Sequence, residues 1–399
     1  MNPNIRKLCA LAAKPTRKII GLMSGTSFDG LDIALCTFSG SGFDTSLHLD
    51  RFITKPYTQA FKEELKSIFA KSEANLEKIT LLNAYIGRYY ATLINQCLTE
   101  WKLVAEDIDL IASHGQSIFH SPKHQRPADN YGNATLQIGD ADHLAVATGI
   151  ITLSDFRQKH IAAGGEGAPL AVYGDRLLFS SKTENRILLN IGGIANFTWL
   201  PAKTATKKAS KTDNRSENSF STDTGPGNTL MDQFIQHTSP GEYYDKDAAL
   251  AARGTINEPL LQALFDHPFF EAGFPKTTGP ELFNLDYLSA ALEKSGQTDK
   301  TSPADIMATL ARFSAGSIIK AISTTLDGRN DFEIYISGGG MYNPIVRQHL
   351  ETHFAQKLRS TALLDVDPDA KEAVLFALLA NEAVAGTPAP SMGKISFPQ

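Results

Sequence analysis

The sequence predicts an α/β protein made of two similar halves with a cleft between them, and two repeated patterns carry this prediction. Two apolar runs flank a glycine-containing turn at Ile19–Phe38, and the same strand–turn–strand pattern returns at Arg186–Leu200. Each of these hairpin patterns is followed later by a strand that runs into a glycine turn, at Ile108–Ser117 and at Phe332–Leu350. The repeated plan indicates a duplicated α/β unit.

Helical patterns lie between the hairpin and the later strand in each half. In the first half, apolar residues recur at three- and four-residue steps, which is one face of an amphipathic helix. That face consists of Ile79, Leu82, Ile86, Tyr90, Leu93 and Cys97. The second half has a similar face formed by Leu310, Phe313, Ser317 and Ile318.

Length and composition are those of an ordinary globular protein. The chain has 399 residues, 42% hydrophobic and 20% charged, and this length favours two domains or one large one. The formal net charge of −5 argues against an overall positive electrostatic potential that would attract nucleic acid. The longest apolar runs have the length of strands, so we expect no membrane span. The three cysteines lack metal-site spacing and fit a reducing cytosol.

Two segments depart from this composition. Residues 1–18 hold five basic side chains and no acidic one. The apolar patch after Lys7 is short for a signal sequence, so we expect a flexible cytosolic tail. Residues 201–219 are polar and basic and predict a surface loop inserted between two strands. A phosphate-binding role for the lysines of this loop is the alternative.

The turn of the first hairpin, Gly25–Gly30, combines backbone amides, hydroxyls and carboxylates. It is not a P-loop, because no Gly-Lys-Ser/Thr follows and no helix opens there. Its glycines can still present N–H groups to a phosphate, and Thr26 and Ser27 add hydroxyl donors. Asp29 and Asp32 are candidates to hold magnesium through water or to orient basic partners. A glycine-rich turn capped by aspartate is the plain alternative.

A second candidate site is the segment Ser221–Phe234. Gly225 and Gly227 predict a tight turn, and a helical pattern begins near Asn228. A helix N-terminus preceded by glycines is a good anion site. Asp223 comes just before the turn, where carboxylates commonly project into a cleft, and it is the best-placed candidate for a general base. Turn capping by Asp223 is the alternative.

The remaining candidates lie on other strand ends and loops. Arg157 precedes a glycine loop and has a planar fork that can clamp a carboxylate or phosphate, although a surface ion pair is equally compatible. His114 and Gln116 stand at a strand end, where a lone histidine is more often structural than catalytic. Gly338–Gly340 let the backbone approach a ring or phosphate closely. Glu372 opens an apolar helix, where an acid usually serves the helix dipole.

Taken together, the glycine-rich turns at strand ends in two similar halves predict nucleotide phosphates held between domains, and hence phosphoryl transfer. Ten motifs along the chain carry a resemblance to a known family. They are “GLMSGTSFDGLDIAL”, “ASHGQSI”, “LQIGDADHLAVATGI”, “SDFRQKHIAAGGEGAPL”, “LLNIGGIAN”, “DTGPGNTLMD”, “YDKDAA”, “PKTTGPE”, “SGGGMYNP” and “KEAVLFALLA”. In this order the motifs resemble the anhydro-N-acetylmuramic acid kinase family over nearly the whole chain from Ile19.

The resemblance implies an actin-like ATPase fold of two ribonuclease-H-like lobes with the nucleotide and sugar between them. On this basis we expect lobe I to comprise residues 19–150 plus about 367–399 and lobe II to comprise residues 151–366. The implied reaction consumes magnesium-ATP. The 1,6-anhydro bridge of the sugar is opened by water while its 6-oxygen is phosphorylated, which gives N-acetylmuramic acid 6-phosphate and ADP in cell-wall recycling.

The resemblance also implies roles for individual residues. Asp223 matches the general base that activates the attacking water. Three positions match magnesium ligands: Ser27, Asp223 and Glu372. The sugar side is matched by His114, Gln116 and Arg157. The nucleotide side is matched by Gly25, Thr26, Ser27, Phe28, Asp29, Gly30, Leu31, Asp32, Gly225, Gly227, Asn228, Gly338, Gly339 and Gly340.

The chain departs from the family's usual residues at four positions: His160, Glu166, Ala248 and Pro280. The first two flank the expected sugar loop and bear on recognition of the substrate's acyl or lactyl group. The alternatives are a kinase of another anhydrosugar such as levoglucosan and a non-catalytic nucleotide-binding protein of the same fold. The expected partners are ATP and a small anhydrosugar, without nucleic acid or membrane, in a cytoplasmic homodimer.

Overall fold

A computed structural model gives the structure of the chain, which divides into two compact units. The described residues are 1–25, 28–123, 126, 130–167, 170–202, 219–239, 241–364, 367, 369–386 and 392–399. Unit 1 comprises Met1–Leu178 and Asp365–Gln399, and unit 2 comprises Phe179–Leu364. Thr26, Ser27 and residues 203–218 of the predicted surface loop lie outside the described residues.

Strands and helices alternate along both units, as the sequence predicts for an α/β protein. The strands are β1 Thr16–Ser24, β2 Gly30–Ser39, β3 Ser46–Pro56, β4 Leu110–Ser121, β5 Ala134–Ile138, β6 Thr152–Ser154, β7 Arg186–Ile191, β8 Ile194–Leu200, β9 Phe220–Pro226, β10 Glu333–Ser337, β11 Arg359–Ser360 and β12 Lys394–Ser396. The helices are α1 Pro3–Ala13, α2 Gln59–Lys66, α3 Leu76–Trp101, α4 Ala141–Thr148, α5 Phe156–Ala162, α6 Ala171–Phe179, α7 Thr229–Thr238, α8 Glu258–Phe265, α9 Leu285–Ser295, α10 Pro303–Thr325, α11 Pro344–Phe354 and α12 Lys371–Ala385.

The sheet of unit 1 has the order β3-β2-β1-β4-β6-β12, with β5 paired to β4. Strands β1, β2 and β3 are antiparallel neighbours, whereas β4 runs parallel to β1 and β6 runs parallel to β4. Helix α12 packs directly on β1 because residue 21 is glycine: a Cβ there would lie 1.9 Å from the carbonyl oxygen of Ala373. The first predicted hairpin is therefore the centre of a covered sheet.

The sheet of unit 2 repeats this plan with the order β9-β8-β7-β10-β11. Strands β7, β8 and β9 are antiparallel neighbours, and β10 runs parallel to both β7 and β11. When β5 and β12 of unit 1 are left out, the strands of both units have the order 3-2-1-4-5, in which only strand 2 is antiparallel to the others. This is the ribonuclease-H-like topology, so the predicted duplication of an α/β unit is confirmed.

Helix α10 is the central helix of unit 2. It begins at Pro303 after Ser302, whose side chain accepts a hydrogen bond from the N–H of Asp305, a common N-cap. By length and composition alone it is the one described helix that is apolar enough to cross a membrane, and 78% of its most apolar window is buried inside the protein. The helical face predicted from the sequence at Leu310, Phe313, Ser317 and Ile318 lies within α10, and all four residues are buried.

The N-terminal segment differs from the predicted flexible tail. Residues 3–13 form α1, which begins where the Asn2 side chain accepts a hydrogen bond from the N–H of Asn4 at 2.8 Å. Leu11 is buried, and the Asn4 amide donates to the carbonyl of Pro398 at 3.0 Å. Lys14 forms an ion pair of 2.7 Å with Asp109, which is nearly buried. These contacts order a segment whose basic composition predicted a tail, and β1 begins at Thr16 inside it.

The boundary between the units also differs from the prediction. Unit 1 extends to Leu178, whereas the predicted first lobe ended at residue 150. The reason is the pairing of β6 with β4, which puts residues 152–154 into the sheet of unit 1 together with the helices that follow. The chain returns to unit 1 at residue 365, close to the predicted position of about 367.

Candidate active site

Asp223 lies in β9 of unit 2, opposite Asn196 of β8, at a break in the register between Ala195 and Asn196. Its N–H donates to the carbonyl of Lys276 at 2.9 Å, and its Oδ2 accepts from the N–H of Thr278 at 2.9 Å. Within the described part of the chain, no hydrogen bond reaches Oδ1. The side chain is half-buried, so it has a fixed orientation and one oxygen available for a ligand.

Burial raises the pKa of Asp223 to about 6, and the nearby carboxylate of Glu281 acts in the same direction. The hydrogen bond from Thr278 opposes this shift, because it stabilises the charged form of the carboxylate. A carboxylate with a pKa of about 6 is a better proton acceptor than an ordinary aspartate and is still largely ionised at neutral pH. The electrostatics thus suit a general base.

The turn that follows Asp223 packs against the turn between β7 and β8. The N–H of Gly227 donates to the carbonyl of Gly193, and the N–H of Asn228 donates to the carbonyl of Gly192, each at 2.8 Å. A Cβ at Gly227 would lie 2.2 Å from the Gly192 oxygen, so only glycine permits this approach. Gly225 has φ +138°, which likewise favours glycine. Helix α7 begins directly after this pair of turns.

Gly338–Gly340 lie at the same end of the unit 2 sheet as the two turns just described. They follow β10, and Gly338 has φ +81°. A Cβ at Gly338 would lie 2.6 Å from Oδ1 of Asn190, and one at Gly340 would lie 2.2 Å from Cγ2 of Ile191. Three glycine-containing turns therefore meet where β7, β9 and β10 end, which is the part of an α/β sheet that commonly binds phosphate-bearing ligands.

In unit 1, the predicted phosphate turn joins β1 to β2, and two of its side chains belong to the core. Phe28 and Leu31 were expected on the nucleotide side, but both side chains are buried in the core, and the ring of Phe28 stands edge-on to Phe69 at 5.0 Å. Only their main chain is free to face a ligand. Gly30 lies so close to β3 that a Cβ would be 2.6 Å from the carbonyl of Lys55. Gly25 is half-buried at the end of β1.

The carboxylates of unit 1 influence one another. Burial raises the pKa of Glu372, and the charge of Asp32 adds to this shift, whereas Arg157 and Lys371 oppose it. Burial also raises the pKa of Asp32, with further contributions from Asp29, and the hydroxyl of Thr54 opposes it through a hydrogen bond of 2.5 Å. No group of three histidine, cysteine or acidic side chains able to hold a metal ion occurs among the described residues.

Gln116 was expected to contact the sugar, but its side chain is fully buried below the turn. Its Oε1 accepts from the hydroxyl of Ser24 at 2.5 Å, and its Nε2 donates to the carbonyl of Gly25 at 3.3 Å. The hydroxyl of Tyr57 in turn donates to Ser24 at 2.8 Å and contacts the hydroxyl of Tyr90 at 3.1 Å. This buried polar chain ties the first residues of the turn to the core, so Gln116 supports the turn in this arrangement.

His114 and Arg157 form a direct pair in unit 1. Burial and the positive charge of Arg157 lower the pKa of His114 to about 3, so the imidazole is neutral. Its Nε2 can therefore accept the hydrogen bond that Nε of Arg157 donates at 2.9 Å. Nη1 of Arg157 donates to the carbonyl of Gly167 at 2.8 Å. The guanidinium is thus held between a strand residue and the glycine loop.

His160 holds the other side of this loop. Its Nδ1 accepts a hydrogen bond from the N–H of Gly167 at 3.1 Å, and its ring stands edge-on to Tyr173. A Cβ at Gly165 would lie 2.2 Å from the imidazole, so the ring and the loop are in close contact. Burial and the charge of Arg157 lower the pKa of His160, and Glu166 acts in the opposite direction.

The structure divides the expected site residues between the units. Unit 1 contains the turn after β1, His114, Gln116, Arg157 and Glu372, and unit 2 contains Asp223 and the three glycine turns. Sequence reasoning omitted several residues that contact these groups: Asn190, Gly192, Gly193, Lys276 and Thr278. It also omitted Asp232, whose pKa burial raises to about 6. The motifs quoted above contain all six, but local pattern gives no sign of their contacts.

The repeated ribonuclease-H-like topology, with glycine turns at the strand ends of both units, defines an actin-like protein, a class that includes ATPases and sugar kinases. A sequence model of the family described as anhydro-N-acetylmuramic acid kinase matches residues 17–394. A relative of that name from Pseudoalteromonas atlantica is 51% identical over 412 residues, covering 100% of both chains. One from Caldanaerobacter subterraneus is 35% identical and covers 95% of this chain and 94% of its own. The chain belongs to the anhydro-N-acetylmuramic acid kinase family.

Solved structures with a similar arrangement of elements are much more distant in sequence. Component A of (R)-2-hydroxyglutaryl-CoA dehydratase from Acidaminococcus fermentans is 13% identical with a TM-score of 0.41, covering 92% of this chain and 99% of its own. A hexokinase from Schistosoma mansoni complexed with glucose is 9% identical with a TM-score of 0.36, covering 91% and 85%.

Proposed function

We propose that the protein is an ATP-dependent kinase of 1,6-anhydro-N-acetylmuramic acid, which opens the anhydro bridge and phosphorylates the 6-oxygen. The products are N-acetylmuramic acid 6-phosphate and ADP. The family supports the sugar and the reaction, and the observation that carries the chemistry is Asp223. It is a half-buried carboxylate with a pKa of about 6 that is fixed by a main-chain N–H beside a glycine turn.

In the proposed reaction, Asp223 accepts a proton from water as the water oxygen bonds to carbon one. The bond from carbon one to the bridging oxygen breaks, and its electron pair remains on the 6-oxygen. This oxygen attacks the γ-phosphorus of ATP, and ADP leaves. An alkoxide is a poor leaving group unless its charge is passed on, so the transfer to phosphorus makes bridge opening feasible. Because Asp223 is half-buried, less water surrounds the carboxylate, and its electrostatic interaction with the reacting groups is stronger.

We assign the nucleotide to main-chain groups rather than to charged side chains. In unit 2 these belong to the turns at Gly225–Asn228 and Gly338–Gly340, where the backbone can approach a phosphate or a flat ring closely. In unit 1 they belong to the turn that begins at Gly25 and ends at Asp32. The core positions of Phe28 and Leu31 support this assignment, because they leave only N–H and C=O groups for the ligand.

The residues present suit the magnesium ion that accompanies ATP in kinases. Mg²⁺ usually takes one or two carboxylates and completes its coordination with water and phosphate oxygens. The charge of Asp32 adds to the raised pKa of Glu372, and the charges of Asp29 and Asp369 add to the raised pKa of Asp32, a repulsion that a divalent cation would relieve. We therefore propose Glu372, with Asp32, as the magnesium-binding carboxylates of unit 1, whereas Ser27 and Asp223 remain ligands that the family resemblance implies. The ion would supply charge neutralisation on the phosphate oxygens.

The sugar side is assigned to Arg157 and its supports. His114 and the Gly167 carbonyl both accept hydrogen bonds from the guanidinium. These two contacts fix the direction in which its remaining N–H groups point. A planar guanidinium is suited to the carboxylate of a lactyl group. Gln116 then contributes by holding the Gly25 carbonyl. His160 and Glu166, next to the same loop, are the proposed determinants of which acyl or lactyl group is accepted.

A coupled assay of ADP release tests the proposed substrate. Equal concentrations of 1,6-anhydro-N-acetylmuramic acid and levoglucosan are compared with ATP alone. We expect turnover with the muramyl sugar, little with levoglucosan and less with ATP alone. Turnover of levoglucosan but not of the muramyl sugar would show that the substrate is a different anhydrosugar. Nucleotide binding without sugar-dependent ADP release would point to a non-catalytic protein.

We further propose that the enzyme works in the cytoplasm as a homodimer, as the family resemblance suggests. ATP and reduced cysteines both suit that compartment, and Cys36 and Cys97 are buried thiols rather than disulfide partners. Light scattering after size-exclusion chromatography measures the mass directly. A mass equal to one chain of 43.3 kDa would contradict the dimer.

A further inference from the structure

The side chain of Lys276 is held in an aromatic box. Its Nζ lies 4.2 Å from the ring centre of Phe269, 4.3 Å from that of Phe274 and 5.8 Å from that of Phe270. It also donates to the carbonyl of Phe269 at 2.6 Å. A lysine usually extends its ammonium into water, so these contacts fix a side chain that is flexible elsewhere.

The main chain of Lys276 is fixed as well, by the strand that carries the proposed base. Its N–H donates to Oγ1 of Thr222 at 3.0 Å, and its carbonyl accepts from the N–H of Asp223 at 2.9 Å. Two residues further on, the N–H of Thr278 donates to Oδ2 of Asp223. The segment 276–278 therefore contacts Asp223 at both its backbone and its carboxylate.

We propose that Lys276 is a positioning residue for the Asp223 carboxylate, acting through the main chain of residues 276–278. This inference rests on the proposed function, since it takes Asp223 as the general base. The segment is not part of either sheet, and Pro275 and Thr277 are exposed, so regular secondary structure does not hold it in place. The lysine cation in its box is the anchor that holds Thr278 where its N–H orients Oδ2.

The size of the effect follows from the geometry. A general base works only when its oxygen stands within hydrogen-bonding reach of the attacking water. A shift of about 1 Å in such a group can reduce the rate by on the order of 100-fold. Loss of the anchor should therefore lower kcat, while binding of sugar and ATP, which uses other groups, stays nearly the same.

Three substitutions of Lys276 distinguish anchoring by its charge and donor from simple packing of its side chain. Lys276→Met keeps the length of the side chain but removes the charge and the donor. Lys276→Gln keeps a donor without the charge, and Lys276→Arg keeps both. The matched control is Lys320→Met, because Lys320 also approaches the Phe270 ring, at 6.0 Å, but its ammonium is exposed and forms an ion pair with Glu271.

For each variant, kcat, the KM values for sugar and ATP, and the melting temperature are measured. We expect kcat of Lys276→Met to fall by about 10- to 100-fold with KM changed less than about threefold, as for a group that acts on the transition state alone. Lys276→Arg should recover most of the rate, Lys276→Gln should be intermediate, and Lys320→Met should match the parent protein. If Lys276→Met does not fold, a reduced kcat of Lys276→Gln beside a restored kcat of Lys276→Arg supports the inference equally.

Full activity of Lys276→Met would overturn the inference, and so would equal losses in Lys276→Met and Lys320→Met. A loss that follows the fall in melting temperature and is not restored by arginine would show a merely structural role. The proposed function fails separately. If Asp223→Asn retains full activity, the base is misassigned whatever the lysine variants do, whereas an inactive Asp223→Asn beside an active Lys276→Met removes only the positioning role.

Discussion

The N–H of Thr278 donates a hydrogen bond to Oδ2 of Asp223 at 2.9 Å, and this contact joins two segments that are more than fifty residues apart in sequence. It fixes the carboxylate without supplying a positive charge. Burial therefore still dominates, and the pKa of Asp223 remains raised, to about 6. An orienting contact that leaves the carboxylate basic is the combination that a general base requires.

Replacement of this base should greatly slow turnover without abolishing nucleotide binding. Asp223→Asn keeps the shape of the side chain and its ability to accept the Thr278 hydrogen bond, but an amide cannot take a proton from water. We expect kcat to fall by about 100- to 10,000-fold, the usual contribution of a general base. Rates come from coupled ADP release, and nucleotide affinity comes from calorimetry. Asp299→Asn, at an exposed position, is the control. An Asp223→Asn variant of undiminished rate would contradict the mechanism.

The pH dependence of kcat/KM should report the same carboxylate. The base works when deprotonated, so the rate should fall on the acid side with an apparent pKa near 6. Glu281 raises this pKa through its negative charge, so Glu281→Gln should move the acid limb to lower pH. Profiles of both proteins are measured beside Glu293→Gln, an exposed glutamate in α9. An acid limb that stays in place in Glu281→Gln would show that another group controls it.

The fate of the water oxygen provides an independent check of the chemistry. If water attacks carbon one opposite the bridge, a reaction in isotopically labelled water should place the label at carbon one with inversion of configuration. The transferred phosphoryl group should contain none, because its new bond is made by the 6-oxygen of the sugar. Mass spectrometry of the product and of its dephosphorylated form locates the label. Label on the phosphate would mean that water attacks phosphorus instead.

The glycine turns of unit 2 should tolerate no side chain. Gly338 has φ +81°, and a Cβ would lie 2.6 Å from Oδ1 of Asn190 and 2.7 Å from the carbonyl of Ile191. We expect Gly338→Ala to lower the free energy of unfolding by about 1–3 kcal/mol and to weaken ATP binding. Denaturant unfolding and calorimetry measure the two effects. Gly273→Ala is the control, because no atom of the described residues beyond its chain neighbours lies within 4 Å of its Cβ position. Unchanged ATP affinity in Gly338→Ala would argue against a nucleotide role for this turn.

Both hairpins were predictable from the sequence, because their signal is local. Apolar runs on either side of a glycine turn predicted the pairing of β1 with β2 and of β7 with β8, and both pairings are present. The unit boundary was not predictable in this way. It depends on β6, a strand of three residues that joins the sheet only through its pairing with β4. Such a short segment carries no periodic pattern of its own.

The candidate site shows the same division between local and long-range information. Asp223 could be selected because a carboxylate before a glycine turn is a visible pattern. The burial of Phe28 and Gln116, and the contact of Thr278 with Asp223, depend on segments that are distant along the chain. A chemically plausible residue type near a turn therefore predicts a site, but only the packing of distant segments decides which side chains can reach a ligand.

The glycine loop beside Arg157 should be sensitive to acid through His160. Its Nδ1 accepts the hydrogen bond from Gly167 only when unprotonated, and the nearby charges on the described residues are those of Arg157 and Glu166. Because the folded protein lowers the pKa of His160 below its ordinary value of 6.5, the neutral form stabilises the fold. That contribution is complete above the ordinary pKa and is lost as the pH falls through the lowered value.

Two variants separate this titration from other acid effects. In His160→Asn, the side-chain oxygen occupies nearly the place of Nδ1 and accepts without titrating in this range. The variant should therefore keep the loop and lose less stability than the parent protein between about pH 7 and pH 5. His160→Leu cannot accept and should be less stable by about 1 kcal/mol at neutral pH. Thermal unfolding across this pH range gives both comparisons. If parent and His160→Asn lose stability in parallel, the imidazole does not control the loop, because the asparagine has no proton to gain.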